Sequence, residues 1–161
     1  MNLNPALKLT HLKPKDYQDL QRFVTNKKVA KYLTWKVYHK ESDIREYFKK
    51  ILNKDSYPDE TLAIDLKNKL IGTVHIISRE NRAAQIGFGL LPDFWNMGLG
   101  SIALSLMRDY IKRSTWINNS EELWADVNRL NRYAIKILLK SGFTLTKLKL
   151  PLNRSRYIYK I

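Results

Sequence analysis

The chain has 161 residues and a formal charge of +14, from 29 Lys and Arg against 15 Asp and Glu. It has no cysteine, which excludes disulfides, a cysteine nucleophile and thiolate metal sites. No apolar run is long enough to span a membrane and no signal-peptide pattern opens the chain, so the expectation is one cytoplasmic domain, 1–161, with room for a sizeable core. Leu7 to Leu12 fits a first strand. Asp16 to Thr25 and Glu41 to Leu52 fit helices, the second with an apolar stripe of Ile44, Phe48, Ile51 and Leu52. Asp55 to Asp59 reads as a turn around Pro58. Thr61 to Leu66 and Leu70 to Ser78 read as strands joined by a hairpin at Lys67-Asn68-Lys69.

A further strand starts near Ala84, with Ile86, Phe88 and Leu90 on one face and Gln85, Gly87 and Gly89 on the other. After a short loop, Ala103, Leu106, Met107, Tyr110 and Ile111 mark one face of a helix, with Ser101 as its expected N-cap. Leu123 to Val127 is a short strand. The next helix is expected from about Arg129, closed by Gly142. Phe143 to Leu150 and Arg156 to Ile161 close the sheet as a pair. His11, His39 and His75 do not pair at ligand spacing, so no metal is expected.

The loop before the longer helix holds Gly98 and Gly100, followed by Ser101. Small residues let a ligand approach the backbone, and the first N–H groups of a helix lack partners and carry partial positive charge. A strand that delivers the chain to such a turn suits a phosphate or pyrophosphate. A plain strand-to-helix turn has the same composition. The stretch Gly98 to Ala103 also matches G-x-G-x-x-A, but Pro92 to Met97 separate it from the strand and no βαβ repeat surrounds it, which argues against a dinucleotide fold. Further on, Arg129, Arg132, Lys136 and Lys140 step along one expected helix face. They make either a solvated face beside Leu130, Ala134, Ile137 and Leu138 or a positive rim for a polyanion, whether cofactor phosphates or nucleic acid.

Trp95-Asn96-Met97-Gly98-Leu99-Gly100-Ser101 resembles the W-G-K-G-Y-A/G-T/S loop of the GNAT acetyltransferase superfamily, in its ribosomal-protein N-terminal acetyltransferase branch. Asn131 and Ala134, then Lys140, Gly142 and Phe143, resemble that branch's later N-x-x-S/A and K-x-G-F element. Leu7-Lys8-Leu9 with Lys15-Asp16, the stretch Val29 to Trp35, and Leu70 to Val74 resemble its first strand, acceptor-side segment and third strand in the expected order.

The resemblance implies an α+β fold, with a mixed, mostly antiparallel central sheet flanked by helices on both faces. It implies acetyl-CoA as co-substrate and transfer of the acetyl group to a primary amine. Leu90 and Leu91 would meet the pantetheine arm. In the turn that begins at Asn96, the backbone N–H groups of Met97, Gly98, Leu99, Gly100 and Ser101 would hold the pyrophosphate. Asn131 would orient the pantetheine or the start of its helix, with Arg132 beside it.

Three positions depart from the pattern. Gln85 stands where many relatives carry Glu, Leu138 where many carry a proton-donating Tyr, and Ala134 where Ser is common. Asp126 and His75 are the substitute acid–base candidates; a turn or cap role and a sheet role are their plainer readings. The acceptor is left open between a protein N-terminus, a small amine and an amino sugar, while a polyamine suits a +14 chain poorly. The alternative reading is a non-catalytic module of the same fold that binds acyl-CoA, RNA or ribosomes. Monomer and dimer are not distinguished.

Overall fold

The computed structural model describes residues 6–32, 38–53, 59–79, 82–114 and 120–161. Seven strands form one sheet in the order β1-β2-β3-β4-β5-β7-β6. They are β1 (Leu7–His11), β2 (Asp59–Leu66), β3 (Lys69–Arg79), β4 (Ala83–Leu90), β5 (Glu122–Asn128), β6 (Thr144–Leu145) and β7 (Arg154–Lys160). Every pairing is antiparallel except β4 with β5. The helices are α1 (Tyr17–Val24), α2 (Lys27–Ala30), α3 (Glu41–Leu52), α4 (Leu99–Arg113) and α5 (Arg132–Lys140). The fold is the expected α+β arrangement. No helix among the described residues is long and apolar enough to cross a membrane.

Alternation along the strands sends side chains to two cores. Leu62, Ile64, Val74, Ile76, Ile86 and Leu90 face α4 and α5, packing on Leu104, Met107, Ile137 and Leu138. Ala63, Leu70 and Leu91 face the other way, onto Leu20, Phe23, Ile44 and Phe48 of α1 and α3.

Local chemistry sets the turns. Lys67 and Asn68 both adopt positive φ, 52° and 66°, as a two-residue hairpin needs, and Asp65 Oδ1 accepts from the Asn68 N–H at 2.8 Å. Gly142 (φ 86°) ends α5 in a Schellman motif. Its N–H bonds Leu139 O, and the Phe143 N–H bonds Leu138 O.

Several expected boundaries move. The helix expected from Asp16 starts at Tyr17, preceded by one 3₁₀ turn at Pro14–Asp16. The last helix begins at Arg132 rather than Arg129, because Asn131 caps it: its Oδ1 accepts from the Ala134 N–H at 3.1 Å. Arg129 therefore lies outside the helix, with Nε on Ser155 Oγ at 3.0 Å, and the expected four-residue stripe shrinks to Arg132, Lys136 and Lys140, all exposed. Leu130, expected on the apolar face, is 61% exposed. The expected Phe143 to Leu150 strand is two residues long, with a separate bridge from Leu150 to Arg154. The turn expected around Pro58 and the end of the Val29 to Trp35 segment lie outside the described residues.

Candidate functional site

The parallel pairing of β4 with β5 covers only Ala83–Gln85 against Glu122–Trp124. Beyond it β4 runs on to Leu90 and β5 to Asn128 without further ladder pairs among the described residues, so the sheet opens there. Two cavities lie along the opening and share Tyr32, Phe88, Asn131 and Ala134 as a common wall.

The first is a groove of about 310 Å³ between the end of β4, α2 and the start of α5. Phe88, Gly89, Leu90 and Trp95 line one side, and Lys28, Arg132 and Tyr133 stand elsewhere on its wall. The Leu91 N–H bonds Ile71 O at 2.8 Å, so the backbone groups of Leu90 point away from β3 toward the opening. Leu90 O there accepts from Trp95 Nε1 at 2.8 Å. This corrects one expectation, since the Leu91 N–H is committed to the sheet.

The turn into α4 is made by Asn96 and Gly98, with φ of 60° and 76°. Gly98 is the N-cap, which corrects the assignment of Ser101; Ser101 sits in the first turn instead. The N-cap glycine offers no side chain, so the first-turn N–H groups of Leu99, Gly100 and Ser101 have no intrahelical partner, and the Tyr133 hydroxyl lies against that of Gly100. Asn96, Met97 and Gly98 are exposed at the rim, while Leu99 and Gly100 are buried.

The two glycines of the turn serve different purposes. A Cβ on Gly98 would meet nothing within 4 Å, so glycine is there for its positive φ. A Cβ on Gly100 would lie 2.5 Å from Ile137 Cδ1 and 3.0 Å from the Tyr133 hydroxyl, so glycine there admits α5. Tyr133 stacks on Trp95 with ring centroids 6.0 Å apart. Its buried hydroxyl faces the Gly100 amide, which favours the phenolate, while burial, the larger effect, pushes the phenol above its ordinary value.

The second cavity, about 210 Å³, is lined by side chains from four strands: His75, Ile77, Gln85, Gly87, Asp126 and Arg154 among them. His75 is held between Thr61 Oγ1, 3.0 Å from Nδ1, and Thr73 Oγ1, 3.2 Å from Nε2. Burial pushes its imidazole down to about 4, so the ring is neutral near pH 7. With both ring nitrogens taken up by threonines, that agrees with a sheet role.

Asp126 is not a turn or cap residue. It sits within β5 opposite Arg156 of β7, and Arg156 Nε and Nη2 donate to Oδ1 and Oδ2 at 2.8 and 2.9 Å. The same guanidinium covers the Trp124 ring at 3.7 Å. Both Asp126 oxygens are thus tied to a cation, and the residue anchors β7 to β5. Among the described residues Arg154 has no carboxylate partner; its Nη2 donates to the Asp126 backbone O at 3.1 Å.

Leu90 and Arg132 line the groove and His75, Gln85 and Asp126 the other cavity, with Asn131 on the wall the two share; the Asn96–Ser101 turn lines neither and adjoins the groove through Trp95 before it and Tyr133 beside Gly100. Lys28, Trp95, Tyr133 and Arg154 were not among the expected site residues. Trp95 belongs to the loop motif, whereas Arg154 has no local signal because it reaches the cavity only through the pairing of β7 with β5.

A family model described as an acetyltransferase (GNAT) domain matches residues 6–144. No curated protein matches by sequence. Among solved structures, a domain from Methanocaldococcus jannaschii DSM 2661 superposes with a TM-score of 0.79 at 16% identity, covering 98% of this chain and 100% of that one. The spermidine N-acetyltransferase from Vibrio cholerae, in complex with CoA and spermine, gives 0.78 at 19% identity, covering 96% and 95%. A ribosomal L7/L12 alpha-N-protein acetyltransferase in complex with coenzyme A gives 0.77 at 21%, covering 96% and 94%.

Proposed function

The chain belongs to the GNAT acetyltransferase family, and from that premise we propose that it moves the acetyl group of acetyl-CoA onto a primary amine whose proton leaves through water. The observation that carries the reading is the opening between β4 and β5, with the uncapped first turn of α4 at one end and a separate side-chain cavity at the other.

The residues present suit acetyl-CoA. The first-turn N–H groups of α4 suit pyrophosphate oxygens, and Lys28 and Arg132 supply positive charge on the adjoining groove wall. The buried hydroxyl of Tyr133 offers a further donor beside that turn. The outward-facing backbone of Leu90 suits an amide of the pantetheine arm. When bound, acetyl-CoA would supply the thioester carbonyl that a neutral amine attacks, the C–N bond forming as the C–S bond breaks, with the proton shed by the nitrogen passing through water to the departing CoA thiolate.

The chain's own contribution is position and exclusion of water more than acid–base chemistry. An alkyl ammonium has a pKa of about 10.4 and must lose a proton before it can attack. Gln85 does not titrate, His75 is neutral with both ring nitrogens engaged, and Asp126 is tied to Arg156. The site thus receives amine that water has already deprotonated and holds it against the carbonyl.

Thermal unfolding with and without CoA tests the donor side. A ligand at a hundred times its Kd adds about 2.7 kcal/mol to stability, so CoA should raise the midpoint clearly. Gly98→Val, which forces a β-branched residue into the left-handed backbone of the turn and so displaces its N–H groups, should lose most of that shift. Steeply salt-dependent RNA binding with no CoA shift would overturn the reading in favour of an RNA-binding module.

A further inference from the structure

We propose that the acceptor is an acidic peptide N-terminus: an α-amine with a carboxylate close by, recognised by Arg154. The inference rests on the N-acetyltransferase reading and deepens it.

The first ground is the charge of the acceptor-side cavity. Its charged lining residues among those described are Asp126 and Arg154. Asp126 is matched by the bidentate Arg156 guanidinium. Arg154 has only a backbone carbonyl, so one unmatched positive charge remains at the cavity wall. A guanidinium presents several donors in a plane, which suits a carboxylate. A cationic acceptor would place like charge against it with no free carboxylate in the lining to offset the repulsion.

The second ground is the missing base. An enzyme that relies on water for the proton favours amines that are already free. At pH 7 a peptide α-amine, with a pKa near 7.7–8.0, is about one tenth deprotonated; a lysine-like amine is below about one in a thousand.

The test compares kcat/KM, followed by CoA thiol release, for Glu-Ala-Ala-amide, Gln-Ala-Ala-amide, free glutamate and spermidine. The Glu peptide should exceed the Gln peptide by about tenfold or more, the size of a charge-assisted contact. That ratio should fall to about one in Arg154→Gln and survive in Arg154→Lys, which also shows that the fold tolerates change at this position. Lys8→Gln, on the far edge strand, should leave the ratio alone.

A Glu-to-Gln ratio at or below one, an unchanged ratio in Arg154→Gln, faster turnover of spermidine, or faster turnover of free glutamate would each overturn the assignment. Absence of turnover with every acceptor would strike the N-acetyltransferase reading instead. The charge inference would then be read from binding to the CoA-loaded protein, where equal affinity for the Glu and Gln peptides overturns it and about tenfold tighter Glu binding upholds it.

Discussion

The turn into α4 beside the groove is built from consecutive residues, Trp95 to Ser101, whereas the cavity at the other end of the opening takes His75, Gly87, Asp126 and Arg154 from four different strands. The first end works through backbone: a positive φ at Gly98, uncapped N–H groups and the outward edge of Leu90. The second works through side chains whose character is fixed by partners far away in sequence. Asp126 is neutralised by a residue 30 positions on, and His75 is desolvated between threonines of two strands. A backbone device is written locally and serves a ligand common to a whole family. A side-chain device is written across the sheet and can differ from one member to the next.

That division can be broken by experiment. The largest expected effect is Gly87→Val. A Cβ there meets only His75 Cβ, at 4.0 Å, so the fold should stand while the added methyls crowd the cavity. Acetyl transfer should drop about a hundredfold, the scale of a misplaced reactant, with CoA affinity unchanged. Equal losses in both would mean that the two ends are not separable.

Next is the pH dependence of stability. The His75 pKa is about 4 folded and about 6.5 unfolded, so between those values the unfolded chain binds more protons. Stability from this residue is complete above about pH 6.5 and falls as pH drops toward 4, by at most about 3 kcal/mol. Denaturant melts across that range should show the slope in the parent and a flatter one in His75→Gln.

Gly100→Val comes third. Crowding Ile137 and Tyr133 should cost about 1–3 kcal/mol in denaturant unfolding, by separating α4 from α5. Gly98→Val should cost about 1–2 kcal/mol from its left-handed backbone alone. If the two variants lose CoA binding without any loss of stability, both glycines serve the ligand only.

The smallest effect is Asp126→Asn, with about 1–2 kcal/mol lost on unfolding as the Arg156 pair weakens. Its pH–rate profile should keep the parent's shape. A vanished limb with stability intact would make Asp126 the base after all.

The same contrast explains what could be read in advance. Strand and helix periodicity, the Lys67-Asn68 hairpin, the Gly142 stop and the glycine turn are local, and the structure bears them out. Ser101 was misassigned as the cap because hydroxyl chemistry is visible in sequence and a backbone dihedral at Gly98 is not. The small size of Gly100 reads as room for a ligand in sequence, because Ile137, the side chain it makes room for, belongs to another helix. Arg129 was counted into a helix because the capping bond of Asn131 is settled by geometry rather than by charge spacing. Asp126 read as a turn residue because the β5–β7 pairing that supplies Arg156 joins segments 30 residues apart.

The central claim is that the site supplies position and charge while water takes the proton. The most direct measurement is the pH dependence of kcat/KM, from about pH 6 to 9, for two acceptors whose amines differ in pKa. The account predicts that the rate rises with the free-amine fraction and that its inflection moves with the acceptor. An inflection that stays at one pH for both acceptors would reveal a titrating group of the protein and contradict it.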